Sequence, residues 1–191
     1  ATAFIALAAA TACAPLNPAY TRREFEFYLG DLRARALLTE ESCGGPALEA
    51  ALALGIQVIG IRGLPRAGEF ELPAGIDGGD VDWCQPDDVS LLLHTSGTTS
   101  RPKLVPLSAC NLAASAAHIV QTLALGPSDR CLNIMPLFHV HGLMAAVLAT
   151  VRAGASVVST DGVYANRFFE WLREYHPTRY TAVPTMHQAI L

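Results

Sequence analysis

A cluster of small and hydroxyl-bearing residues follows an apolar run near the middle of the chain. It reads Thr95-Ser-Gly-Thr-Thr-Ser-Arg-Pro-Lys103 and comes directly after Leu91-Leu-Leu-His94. Small residues let backbone N–H groups close around an anion, the hydroxyls add donors, and a lysine adds a point charge. These residue types predict a phosphate-binding loop. Its candidate ligands are Thr95, Ser96, Gly97, Thr98, Thr99, Ser100 and Lys103.

The same segment can be compared with a surface turn, a Walker A loop and the β-lactamase S-x-x-K pattern. Ser and Thr dominate turns, so the cluster alone is more typical of a surface loop, although the apolar run before it and the Pro-Lys after it argue against that. A Walker A loop needs G-x-x-x-x-G-K-[ST], whereas Pro102 lies five residues after Gly97. Ser100 to Lys103 also matches the S-x-x-K of β-lactamases, but that pattern is short and neither S-D-N nor K-T-G occurs in the chain.

A second polar motif, Met135-Pro-Leu-Phe-His-Val-His-Gly142, contains two histidines two positions apart. His139 follows an aromatic residue after a strand-ending proline, where its imidazole can donate to a substrate oxygen. For His141 we expect a structural hydrogen bond to backbone near Gly142. The pair could instead bind a metal, but no third Cys, Asp or Glu ligand is near in sequence, and we assign no metal site. His94 is interpreted as packing against, or supporting, the first loop.

Alternating strands and helices must position both motifs. The predicted strands are Cys13–Leu16, Ala36–Thr39, Gln57–Ile61, Val89–His94, Lys103–Leu107, Cys131–Met135, Ala155–Ser159 and Arg179–Val183. The predicted helices start after a T-x-x-E capping box at Thr21, at Pro46, after Ser108, near His141, at Asn166 and at Pro184. Residues 62–88 are rich in Gly, Pro and Asp and could form a domain linker, but we interpret them as a surface excursion.

This order predicts an α/β fold with largely parallel strands. Ligands in such folds bind beyond the carboxyl ends of strands. Both motifs directly follow predicted strands, so we expect them to share one site.

Composition argues against several other classes of protein. The net charge of −4 gives no basic field for nucleic acid. The five cysteines are odd in number and lack a C-x-x-C pair, which favours thiols in a reducing cytoplasm. The apolar Ala1–Ala14 segment has no positive region before it, as a signal peptide would, and is shorter than the roughly 20 residues of a membrane span. We interpret it as the end of a buried helix.

Together, the two motifs resemble those of the adenylate-forming enzymes, which include acyl-CoA synthetases, firefly luciferase and peptide-synthetase adenylation domains. Their order and separation also match, and the resemblance covers essentially the whole chain. It implies ATP, Mg²⁺ and CoA as cofactors and a small-molecule carboxylate as substrate. Residues Thr95 to Lys103 would hold the β- and γ-phosphates of ATP, and His139 would line the acyl pocket.

Within this family, the two motifs and Tyr180-Thr-Ala-Val-Pro-Thr-Met-His-Gln188 look most like those of oxalyl-CoA synthetases. This resemblance implies a short, polar pocket for a small dianion. Two positions depart from the family pattern, which usually has Gly at Ser100 and often at Leu104. If position 100 required a positive φ, serine there would cost roughly 1–2 kcal/mol.

The resemblance also implies that part of the enzyme is missing. The chain contains no Tyr-Gly-x-Thr-Glu block with its magnesium-site Glu, and the ribose-binding Asp and C-terminal catalytic Lys are absent as well. Residues 1–191 are therefore interpreted as a partial N-terminal domain, truncated at both ends and inactive alone. The alternatives are a stand-alone phosphate-binding or scaffold domain and a P-loop kinase or GTPase.

Overall fold

Two capping boxes start helices where the sequence predicts them. The Thr21 hydroxyl accepts a hydrogen bond from the Glu24 backbone N–H, and the Glu24 carboxylate accepts one from the Thr21 N–H. Ser108 and Asn111 make the same reciprocal pair. Each box satisfies two N–H groups that the helix itself cannot satisfy, which explains why the helices begin there.

The computed structural model describes residues 1–42, 44–73, 80–95, 102–160, 162 and 164–191. Its α-helices are α1 (Thr2–Ala8), α2 (Arg22–Asp31), α3 (Pro46–Ala53), α4 (Ala109–Thr122), α5 (Ala149–Arg152), α6 (Ala165–Tyr175) and α7 (Pro184–Ile190), and a π-helix spans Gly142–Leu148. Its strands are β1 (Ala36–Glu40), β2 (Gln57–Gly63), β3 (Phe70–Glu71), β4 (Val89–Thr95), β5 (Lys103–Ser108), β6 (Arg130–Asn133), β7 (Ser156–Ser159) and β8 (Arg179–Thr181).

The chain divides into two compact units, and the first comprises Leu16–Val81 together with Thr2. In this unit β1 pairs in parallel with β2 from Ala36↔Gln57 to Glu40↔Ile61. The short β3 pairs antiparallel with the end of β2. Helices α2 and α3 bury one apolar cluster, formed by Phe25, Leu29, Ala50 and Ala51. The predicted β-α-β unit is confirmed here.

The second unit comprises Ala1, Ala3–Pro15 and Asp82–Leu191. Its three-stranded sheet has the order β7-β6-β8, and both pairings are parallel. A separate antiparallel hairpin joins β4 to β5. One core cluster packs α1, α4 and the π-helix against β4, and another packs α6 and α7 against the β6 sheet.

Several sequence-based expectations need correction. The strands that flank the first motif are antiparallel to each other, because they are joined as a hairpin across that motif. The expected strand at Cys13–Leu16 is reduced to one bridge between Cys13 and Leu91. In the Ala-rich start, α1 ends at Ala8 and buries only Phe4, since its alanines offer little apolar surface.

Candidate active site

The described ends of the first motif are paired across the β4–β5 hairpin. Thr95 and Lys103 are the last partners in its register, and the Thr95 hydroxyl lies 3.5 Å from the Lys103 carbonyl oxygen. Both residues are exposed. Lys103 is also the only lysine in the chain. The hairpin therefore pairs the two described ends of the motif, and Lys103 at one end carries an exposed cationic side chain.

The five candidate ligands between these ends are Ser96, Gly97, Thr98, Thr99 and Ser100, and they lie outside the described residues. Their assignment to a phosphate site stays a prediction. The strand that leads into them is anchored in the core, where Leu91 is fully buried and Leu93 nearly so. His94 follows on the same strand and is half-buried, consistent with its expected supporting position.

The second motif begins in a turn that the buried Asn133 side chain organises. Its Oδ1 accepts from the Met135 N–H at 3.1 Å, and its Nδ2 donates to the Met135 carbonyl at 3.2 Å. Asn133 is only 1% exposed, so these bonds satisfy an amide that would otherwise be costly to bury. The sequence gives no distinctive signal for this role of Asn133, because one Asn at a strand end is common in turns.

His139 is exposed and available to a ligand. Its ring centroid lies 4.6 Å from that of Phe138, with the two planes tilted by 47°. Its backbone is held on both sides, because its N–H donates to the Pro136 carbonyl and its carbonyl accepts from the Leu143 N–H. An exposed imidazole on a fixed backbone suits the predicted substrate-facing role, which stays a prediction.

His141 is half-buried and precedes the π-helix as its N-cap. Its Nε2 lies 2.5 Å from the Thr181 hydroxyl oxygen on β8. The sequence-based expectation was a hydrogen bond to backbone near Gly142. The observed partner is instead a side chain 40 residues away. No local pattern identifies Thr181, because the contact depends on how β8 pairs with β6.

The helix after this motif starts as a π-helix rather than the predicted α-helix. Single π turns are rare and occur frequently at functional sites. Gly142 at its start lies directly against the backbone of Met135 and Pro136. Within the described ranges, no group of three or more His, Cys, Asp or Glu could hold a metal ion.

One apolar cluster joins the supports of the two motifs. Leu91 and Leu93 of β4 pack in it with Leu143 and Met144 of the π-helix, and Leu137 of the second motif packs against it. The strand entering the first motif and the helix leaving the second are therefore in one core. This packing is the structural basis for considering the two motifs as one candidate site.

A surface cavity of about 410 Å³ lies elsewhere, between α1, α4 and α5. Its walls are mainly alanine, leucine and valine side chains, with Ser90 and Arg152 as its polar members. None of the described motif residues lines it. We therefore do not place the active site there.

Comparisons with known proteins agree with the resemblance of the motifs. A family model described as "AMP-binding enzyme" matches residues 1–191. The oxalate–CoA ligase of Arabidopsis thaliana is 44% identical over 98% of this chain and 38% of its own length. The oxalate–CoA ligase of Saccharomyces cerevisiae is 33% identical over 93% of this chain and 38% of its own.

Solved structures give the same result. ATP-bound MatB from Rhodopseudomonas palustris is 26% identical with a TM-score of 0.75, covering 93% of this chain and 35% of MatB. The o-succinylbenzoate CoA synthetase MenE from Bacillus subtilis in complex with AMP is 27% identical with a TM-score of 0.72, covering 94% of this chain and 44% of MenE. No helix in the described part of the chain is long and apolar enough to cross a membrane.

This chain spans well under half the length of the relatives it matches. The match to the family nevertheless extends over all of its residues, and the curated relatives exceed 30% identity. The chain belongs to the AMP-binding enzyme family.

Proposed function

We propose that the chain is part of the large N-terminal domain of an AMP-forming acyl-CoA synthetase. The observation that carries this proposal is the shared core of the two motifs, in which Leu91 and Leu93 of β4 pack with Leu143 of the π-helix. The 38% of their length that the chain matches in both oxalate–CoA ligases is consistent with a partial domain.

The proposed chemistry has two steps. A carboxylate oxygen attacks the α-phosphorus of ATP, forming acyl-AMP and releasing pyrophosphate. The CoA thiol then attacks the acyl carbon and releases AMP. Both steps develop negative charge on leaving oxygens, which donors placed in advance can stabilise.

The first motif is assigned to the β- and γ-phosphates of ATP. Lys103, which the hairpin pairs with Thr95, is exposed and provides a charged donor at the end of this motif. The remaining proposed ligands are Ser96, Gly97, Thr98, Thr99 and Ser100. Mg²⁺ would enter with the phosphates, which supply its preferred oxygen ligands, and we assign no magnesium ligand to this chain.

His139 is assigned to the acyl substrate, and oxalate is the proposed substrate. Two of the relatives are named oxalate–CoA ligases, which supports this choice. An exposed imidazole can donate to a carboxylate oxygen, and oxalate has a second carboxylate to be recognised. A polar pocket of this kind rejects an alkyl chain strongly, because the chain would leave buried polar groups unpaired.

The substrate assignment is tested by kinetics on the full-length ligase that carries this sequence. Oxalate and a medium-chain fatty acid should be compared for CoA- and ATP-dependent thioester formation. We expect kcat/KM for oxalate to exceed that for the fatty acid by roughly 10⁴-fold or more. Comparable values for the two acids would remove oxalate and leave the acyl-CoA synthetase assignment intact.

We further propose that residues 1–191 alone do not complete the reaction. Adenylation depends on positioning both reactants and on preorganised charge, so a partial site should give little activity rather than a fraction of it. The assay is carboxylate-dependent exchange of labelled pyrophosphate into ATP, with the full-length ligase as positive control. Robust exchange by the 191-residue chain would contradict this proposal.

The second candidate function is a phosphate-binding or scaffold domain without catalysis. It is favoured if the full-length protein binds ATP but forms no acyl-adenylate with any carboxylate tested.

For the proposed ligase, the partners are a small carboxylate, ATP and CoA, and the proposed location is the reducing cytoplasm. The net charge of −4 continues to argue against a nucleic-acid partner.

A further inference from the structure

Strand β8 sends two side chains from one face toward the π-helix and α5. Arg179 and Thr181 are two positions apart on a strand and therefore share a face. The Thr181 hydroxyl lies 2.5 Å from His141 Nε2, at the start of the π-helix. Arg179 Nη2 donates to the Ala145 carbonyl at 2.9 Å, in the middle of that helix, and also to the Thr150 hydroxyl of α5.

These contacts support a segment that needs tertiary support. A π-helix has poorer intrinsic stability than an α-helix and is normally limited to one turn. Arg179 binds a carbonyl inside the π segment, and Thr150 donates to the Ala146 carbonyl at 2.6 Å where the α-helix resumes. A charged donor to a partly buried carbonyl is among the stronger hydrogen bonds in a protein. The side chains of β8 and α5 thus stabilise the π-helical conformation of this segment.

The π-helix is hydrogen-bonded in turn to the backbone of His139, the residue proposed to contact the substrate. The Leu143 N–H donates to the His139 carbonyl at 3.2 Å, and the His139 N–H donates to the Pro136 carbonyl. A shift of the π-helix would therefore move the His139 backbone. The imidazole ring itself is exposed and lies against the Phe138 ring.

We propose that Thr181 and Arg179 are positioning residues, which hold the π-helix and through it place His139 against the carboxylate substrate. The step to the substrate rests on the proposed ligase function. Neither residue needs to contact the substrate. They lie 40 and 42 residues beyond His139 in sequence and act through the parallel pairing of β8 with β6.

The kinetic test uses Thr181→Val in the full-length ligase, with Thr181→Ser as the conservative variant. Valine is nearly isosteric and suits a strand, so the variant should remain folded. Losing one hydrogen bond should raise KM or lower kcat/KM for the carboxylate by roughly three- to tenfold, with KM for ATP within about twofold of wild type. Thr181→Ser should behave as wild type. Equal losses toward both substrates, or no loss, would overturn the proposal.

Tyr180→Phe is the matched control. It removes a hydroxyl from the neighbouring position of β8, on the opposite face, where the hydroxyl lies 3.1 Å from His187 Nδ1. We expect unchanged kinetics. A carboxylate defect as large as that of Thr181→Val would mean that any damage to β8 has this effect, and positioning through His141 would be refuted.

A double-mutant cycle tests the pathway through His141. Because His141→Ala and Thr181→Val remove the two sides of one contact, the double variant should lose no more carboxylate kcat/KM than the worse single variant. Multiplicative losses would show that the two residues act independently and would overturn the pathway.

Amide hydrogen exchange tests the structural half without relying on activity. In Thr181→Val and Arg179→Lys, amides of Gly142–Leu148 should exchange at least about threefold faster, while those of α4 stay unchanged. If the wild-type protein shows no ligase activity, the proposed function fails while this exchange test still stands. Unchanged exchange in Gly142–Leu148 in both variants would refute the support of the π-helix.

Discussion

A Cβ atom added to Gly142 would lie 2.5 Å from the carbonyl oxygen of Pro136 and 3.2 Å from that of Met135. Both are backbone atoms, so neither can move away as a flexible side chain could. The turn before His139 and the start of the π-helix after it therefore approach each other as closely as glycine permits. This close approach, rather than an unusual φ, requires glycine at position 142.

Gly142→Ala should destabilise the protein by about 1–3 kcal/mol, the usual cost of forcing atoms into a filled core. Chemical denaturation of the full-length protein measures this change. Gly30→Ala is the matched control, because position 30 lies in α2 and has open space around an added Cβ. Alanine there should be neutral or stabilising by up to roughly 1 kcal/mol. Equal effects of the two substitutions would contradict the close-packing argument.

Lys103→Ala should lower kcat/KM for ATP by about tenfold or more. It removes a charged donor from the base of the proposed phosphate loop, and such bonds contribute roughly 1.5–3 kcal/mol. Lys103→Arg should retain part of the activity because it keeps the charge. Arg173→Ala, which removes an exposed charge from α6, is the control and should be near wild type. Unchanged ATP kinetics in Lys103→Ala would remove the loop assignment.

His139→Ala should raise KM for the carboxylate by roughly tenfold and leave KM for ATP nearly unchanged, since one donor to an anionic substrate is lost. Initial-rate measurements with each substrate varied separately distinguish the two effects. His118→Ala, an exposed histidine on α4, is the matched control. A selective carboxylate defect in His118→Ala, or none in His139→Ala, would reverse this assignment.

Asp129 should make the β6–β8 junction sensitive to acid. Its carboxylate accepts from the Gly126 N–H at 2.8 Å and from the Thr178 hydroxyl at 2.7 Å. These bonds hold the pKa of Asp129 below its ordinary value of 3.8, the Gly126 bond being the larger cause. A lowered folded-state pKa means that the stabilisation is complete above the unfolded pKa and is lost as pH falls through the folded one.

Thermal unfolding as a function of pH checks this expectation. Wild type should be more stable than Asp129→Asn by a constant margin from pH 7 to about pH 5, and the margin should shrink below about pH 4. Asp82→Asn, which neutralises an exposed carboxylate, controls for the change in net charge. A margin that stays constant below pH 4 would show that ionisation of Asp129 does not contribute.

Local signals in the sequence predicted much of the fold. The capping box at Thr21 and the helix start after Ser108 depend on neighbours within a few residues, so the sequence pattern reveals them directly. Trp171 and Phe168 of α6 are buried in the core together. Strand pairing was predicted less well, because the strand–helix alternation indicated largely parallel strands, whereas β4 and β5 are too close in sequence for a parallel crossover and pair antiparallel.

By itself, the sequence determined the residue types that could do chemistry: the hydroxyls and lysine of the first motif and the histidines of the second. It also determined family membership, because two long motifs in the same order rarely arise by chance. Only the tertiary structure decided that Thr181 is the partner of His141, that Arg179 supports a π-helix and that Asn133 organises the turn. The physical reason is that hydrogen bonds between distant residues depend on strand register and helix packing, and these are set by burial across the whole unit.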